Sequence, residues 1–217
     1  MDTILEYLKS LPDALLILEK FNQYLRLESD KRMEFYNWVN ESIKAEFING
    51  EIIVHSPAKM KHEVVSSCLF KLLDTFVIKH DLGYVAHEKI MIRLTRNDYE
   101  PDICFFTKEK SQYFSDNKTI FPVPDIVVEV LSEGTFERDR GIKFKDYEAH
   151  GIPEYWIIDP DNEVVEVYCL TNGNYDLVFK SSNETLQSKI IPNFQIDIKA
   201  IFDKRNNQIE LIKILSI

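Results

Sequence analysis

Residues 125–131 read Asp-Ile-Val-Val-Glu-Val-Leu, and the fold class turns on this stretch. Ile126, Val127, Val128, Val130 and Leu131 make a β-branched apolar run, as expected of a strand covered on both faces. Glu129 interrupts it. An ionised carboxylate is seldom buried unless it is paired or bound to a metal. Either this strand end faces solvent or Glu129 has a partner. Asp102 poses the same question, lying between Pro101 and the run Ile103-Cys104-Phe105-Phe106. Two carboxylates on two buried strands are the raw material of a divalent-cation site, because Mg²⁺ takes oxygen ligands and keeps several waters beside one or two protein carboxylates.

Downstream, residues 137–150 are charged and free of proline, which predicts a helix ended by Gly151 and Pro153. On it Arg140, Lys143 and Tyr147 stand at i, i+3 and i+7 and so share a face. Segment 137–148 holds four bases and four acids, so composition alone gives an ordinary solvated face. Lys145, two positions beyond Lys143, falls on a different face.

Further outward the pattern alternates between helix and strand. Residues 1–43 carry helix-like apolar spacing broken at Pro12. Asn49-Gly50 and Asn172-Gly173 are hairpin turns, pairing 44–48 with 51–55 and 164–170 with 175–179. Pro57 opens a long helix to about His80, with Gly83 as its stop. Strands are predicted over 84–93, 102–106 and 154–158. The tail reads as β-rich, with short elements at 196–202 and 209–214. Trp156 and Tyr155 are predicted core residues. This order predicts an α/β (α+β) fold, a mixed central sheet flanked by helices, with residues 1–33 as an N-terminal helical extension and 34–217 as the domain.

The 217 residues carry 36 acids against 26 bases, a net charge of -10 and a pI near 5.0. That excludes coating of nucleic acid or an anionic membrane by bulk charge. Cys68, Cys104 and Cys169 form no CxxC pair and are expected to be reduced core residues. No secretory signal or membrane-length apolar run is evident, so the expected location is the cytoplasm.

Several segments in order, AEFINGEIIVHSP with the following His62, PDICFF, PDIVVEVLS and DRGIKFKDYEAHGIPEYWIIDP, resemble the Uma-two family of restriction endonucleases, part of the PD-(D/E)XK nuclease superfamily. The resemblance covers about residues 34–202, and IIPNFQIDIKAIF is similar to its closing segment. It implies a restriction-endonuclease-like core. Asp102 and Glu129 match the two acids, which would bind Mg²⁺ or Mn²⁺ together with the backbone carbonyl of Val130. The superfamily lysine two residues after the acid is replaced here by Leu131, and Lys143 matches the family's helix-borne lysine, with Arg140 and Tyr147 in register. Glu46 and His62 match as supporting positions, Glu46 as a further carboxylate and His62 as a contact to phosphate or water. DNA is the implied substrate, and a homodimer follows by analogy, since cutting both strands needs two sites. A nuclease for RNA or branched DNA fits the same chemistry. The displaced lysine and the acidic charge leave open an alternative: a catalytically weak module that binds nucleic acid or a protein partner through this fold.

Overall fold

The computed structural model describes residues 2–216. Pro12 separates α1 (Asp2–Ser10) from α2 (Ala14–Trp38), and the latter runs unbroken through residue 33. Asn49 and Gly50, both at positive φ, turn β1 (Ala45–Ile48) back into β2 (Glu51–Val54). Next come α3 (Met60–His80), β3 (Gly83–His87), β4 (Met91–Arg93), β5 (Asp98–Tyr99), β6 (Ile103–Thr107), α4 (Lys108–Ser111), β7 (Ile120–Phe121) and β8 (Ile126–Val130). The chain continues through α5 (Phe136–Asp139), α6 (Ile142–Ala149), β9 (Glu154–Asp159), β10 (Val164–Thr171) and β11 (Asn174–Ser181). It closes with β12 (Thr185–Gln187), β13 (Gln195–Asp197), α7 (Lys199–Phe202) and α8 (Lys204–Ser216).

The central sheet is mixed and six-stranded, in the order β11-β10-β9-β8-β6-β3, with β8 and β9 its parallel neighbours. The strand period of two sorts side chains between its faces. Ile126, Val128 and Val130 join Ile103, Phe105 and Trp156 in a core with Leu69, Leu72 and Val77 of α3 and with Ile201 and Ile214 of α7 and α8. Val127 and Leu131 join Cys104, Phe106 and Tyr155 in a second core, with Tyr147 of α6 and with Ile48 and Ile92 of the other sheet. That sheet, β2-β1-β5-β4-β7, lies over this second face. Its Ala45 and Phe47 pack outward on Phe35 of α2. By the same alternation Glu129, Asp102 and Glu46 all belong to the space between the two sheets.

The C-terminal half of α2 is clamped to the second sheet. Arg32 holds the buried Asp98 at 2.6 and 2.7 Å and donates to the carbonyls of Leu94 and Asn97, while Arg96 holds Glu28 with two bonds. Its first half and α1 expose Leu15, Leu16, Phe21, Ile4 and Leu5.

Four sequence expectations are corrected. The predicted strand 84–93 is two strands in different sheets, because Glu88 and Lys89 take left-handed φ values of 50° and 46°. Gly83 does not stop α3; Asp81 caps it in the left-handed region. Gly83 is needed where β3 meets β6: its φ is +150°, and a Cβ there would stand 2.0 Å from the Phe106 carbonyl oxygen. The helix over 137–150 is broken at Gly141, where an added Cβ would meet the Glu137 carbonyl oxygen at 2.5 Å. The tail ends not in strand but in α8, whose Asn207, Glu210 and Ile214 recur at helical spacing on the buried side.

Candidate active site

The site is built around one buried ammonium group. Lys143, on the first turn of α6, is 1% exposed. Its Nζ lies 2.9 Å from Glu46 Oε1, 2.9 Å from Glu129 Oε1 and 3.4 Å from Asp139 Oδ1. Tyr147, one helical turn further on, donates its hydroxyl to the same Glu129 oxygen at 2.9 Å. Burial favours the neutral amine, but Glu129, Glu46 and Asp139 outweigh it and hold the Lys143 pKa well above the ordinary value. Glu46 is pushed up by burial but pulled down further by Lys143 and His55, to about 2. Burial pushes the Glu129 carboxyl well above the carboxylate range, with Lys143 opposing and the neighbouring acids adding to the effect.

Asp102 sits at the open end of β6. One step past the Ile103–Val128 pair, the antiparallel register brings it opposite Glu129. Its Oδ2 accepts the Val130 N–H at 2.8 Å and lies 3.2 Å from His62 Nε2, and its Oδ1 is 3.2 Å from Lys44 Nζ. Burial would raise its pKa. The His62 hydrogen bond and the charge of Lys44 outweigh that, so the carboxylate stays ionised well below its usual range. Burial likewise disfavours a charged His62, yet Asp102 raises its pKa above the ordinary value.

Asp102, Glu129 and Lys143 line one cleft of about 740 Å³, together with His62, Lys44 and Glu100. Burial pushes Glu100 up to about 7, against the pull of Lys44. The structure thus brings together Asp102, Glu129, Lys143, Glu46, His62 and Tyr147. It does not bring Arg140: the break at Gly141 takes it off the α6 face, and its guanidinium holds Glu166 of β10 at 2.7 Å. Lys145 is exposed. For Val130, the observed contact is made by its N–H.

Four residues of the site escaped the sequence reading: Lys44, His55, Glu100 and Asp139. Two of them were readable. Lys44 and Glu100 stand two positions from Glu46 and Asp102, the spacing that shares a strand face. His55 Nε2 lies 3.1 Å from Glu46 Oε2 across the hairpin, a contact no local pattern announces.

Oxygen donors of this kind suit a hard divalent cation. Among the described residues no group of three or more His, Cys, Asp or Glu side chains is gathered into a ready metal cage. The donor set nevertheless fits a cation held by two carboxylates and water. Acids outnumber ammonium groups around Lys143, and Glu100 Oε2 and Asp139 Oδ2 are buried without a hydrogen-bond partner.

The family model described as "Uma2: Putative restriction endonuclease" matches residues 21–199. The chain belongs to the Uma2 family. The Uma2 match begins inside α2 and spans both sheets and every residue of the cleft named above. A crystal structure of "a putative nuclease belonging to DUF820" from Anabaena variabilis ATCC 29413 shares the fold, with a TM-score of 0.67. That chain is 21% identical, and the similarity covers 78% of this chain and 95% of that one. No curated protein matches. Membership in Uma2 supports a nuclease role, and restriction-endonuclease-like proteins generally use a divalent metal. No helix among the described residues is long and apolar enough to cross a membrane.

Proposed function

We propose that this Uma2 protein is a divalent-metal-dependent endonuclease that hydrolyses DNA phosphodiester bonds in the cleft between its two sheets. The observation that carries the reading is the meeting of Asp102, Glu129 and Lys143, from two strands and a following helix, in one cleft. Asp102 and Glu129 would hold Mg²⁺ or Mn²⁺, with the Val130 carbonyl as the resemblance implies. A bound divalent cation supplies Lewis-acid polarisation of the phosphate and neutralises developing charge.

The chain's own residues do the rest. Lys143 presents a permanent positive charge beside Glu129 for the pentacovalent phosphate and the attacking water. Glu46 and Asp139 also hold that ammonium, and Tyr147 fixes the Glu129 carboxylate. His62, Lys44 and the Val130 N–H keep Asp102 ionised and pointed at one place. With a net charge of -10, DNA is retained through a few placed contacts and the cation rather than a basic face. Cutting both strands would take two such chains.

A second reading is a binding module with little catalysis. It is favoured by Lys44 and Lys143, which already neutralise the acids a metal would need. Plasmid cleavage with Mg²⁺ or Mn²⁺ separates the two. The nuclease reading expects nicking by wild type and its loss in Asp102→Ala and Glu129→Ala. Equal products from all three proteins would overturn it, and DNA binding without metal uptake would favour the module.

A further inference from the structure

We propose that Arg138 is the residue that grips a backbone phosphate of the nucleic acid in this cleft, an assignment that rests on the nuclease reading above. Most of the cations that line the cleft already have partners. Lys143 is committed to three carboxylates, and Lys44 to Asp102. Lys59 stands 3.4 Å from Glu133, and Lys89 donates to the Glu41 carbonyl at 2.7 Å. Of the lysines and arginines that line the cleft, Arg138 alone, among the described residues, makes no ion pair and no side-chain hydrogen bond. Its Nε is shut off from solvent and has no acceptor.

A buried N–H without an acceptor is a standing cost, and it is relieved by whatever acceptor enters. A guanidinium offers a planar fork of donors, a geometry that matches two phosphate oxygens and that an ammonium cannot reproduce. The surroundings suit a phosphodiester. Arg138 lies on α5, directly after the Ser132–Thr135 turn that follows β8, and the Ser132 and Thr135 hydroxyls, 3.0 Å apart, line the same wall. Between them Gly134 has open space where a Cβ would stand, so nothing there blocks a close-lying strand. The neighbouring residue, Asp139, is engaged by Lys143. Two consecutive side chains of one short helix therefore divide the work: one holds the lysine and the other faces the substrate.

Binding of a fluorescein-labelled DNA duplex, followed by anisotropy over a range of salt concentrations, tests this. Arg138→Ala is expected to weaken binding about ten-fold or more. It should also lower the steepness of the log affinity against log salt plot by about 0.9, the share of one phosphate contact. Arg138→Lys should restore the slope but not the full affinity, a pattern that a merely structural arginine would not give. If wild type binds and cleaves DNA while Arg138→Ala matches it in affinity and slope, the assignment is overturned and the nuclease reading stands. If wild type neither binds nor cleaves DNA, the nuclease reading falls. The anion site is then decided by titrating inorganic phosphate against the Arg138 Nε–H resonance, identified by its loss in Arg138→Lys. A saturable shift keeps the site, and no shift overturns it.

Discussion

Replacing Lys143 with methionine keeps the apolar stem and removes only the ammonium. Glu46 and Glu129 then each lose a partner at 2.9 Å and Asp139 one at 3.4 Å, all with side chains no more than 4% exposed. Removing one partner of a buried ion pair costs about 3–5 kcal/mol, since the other charge is left without compensation. A domain's whole stability is about 5–15 kcal/mol, so Lys143→Met should be severely but measurably weakened at pH 7. The pH dependence has a definite sign. In wild type, Glu46 is held at about 2 against an ordinary 4.5, so its contribution is present above pH 4.5 and is lost as pH falls through about 2. In the variant the Lys143 share of that contribution is absent, and only His55 still opposes the effect of burial on the carboxyl. The gap between the two proteins should therefore be widest near neutrality and close in acid. Urea unfolding followed by far-ultraviolet circular dichroism measures it. Adding Glu129→Gln to Lys143→Met should cost less than the sum of the single changes, with a coupling of about 0.5–3 kcal/mol. A loss below about 1 kcal/mol, independent of pH, would refute the reasoning.

Three other expectations follow from the same contacts. Burial pushes Glu166 up, but Arg140, Lys180 and Tyr168 outweigh it and hold it at about 2; with Lys180 and Tyr168 still in place, Arg140→Ala should lose about 1 kcal/mol at pH 7 relative to wild type. That difference should shrink as pH falls from about 4.5 to 2 in acid titrations of stability. Gly83→Ala should cost about 2–3 kcal/mol in urea unfolding, because its Cβ has no room against the Phe106 carbonyl. Arg32→Ala should strip the fully buried Asp98 of its bidentate partner, and amide exchange across the second half of α2 should rise well above wild type.

The part of this molecule that was legible beforehand is the part governed by strand alternation. Glu129 inside its apolar run and Asp102 ahead of another run pose the question of two buried carboxylates, and the pairing of β6 with β8 is what sets both on the same side of the sheet. The helix after β8 was harder to read. Segment 137–148 has balanced charge and no apolar stripe, so nothing marked the break at Gly141, and Arg140 was placed in register with Lys143 although it leaves the cleft for Glu166. Lys143 and Tyr147 lie beyond the break and kept their true spacing. Residues 209–214 misled through isoleucine, whose β-branching favours strand; docking on α3 overrides that preference and makes the segment helical. The exposed apolar residues of α1 and early α2 follow the helix period but remain exposed.

In the proposed mechanism Asp102 and Glu129 share a divalent cation beside Lys143. A crystal soaked in Mn²⁺ and measured at the manganese edge tests that directly. An anomalous peak is expected, with oxygen atoms of both carboxylates at about 2.0–2.2 Å, the range of small hard cations, and is expected to be lost in Glu129→Ala. A fully soaked crystal with no peak there, its carboxylates still held by Lys44, His62 and Lys143, would contradict it.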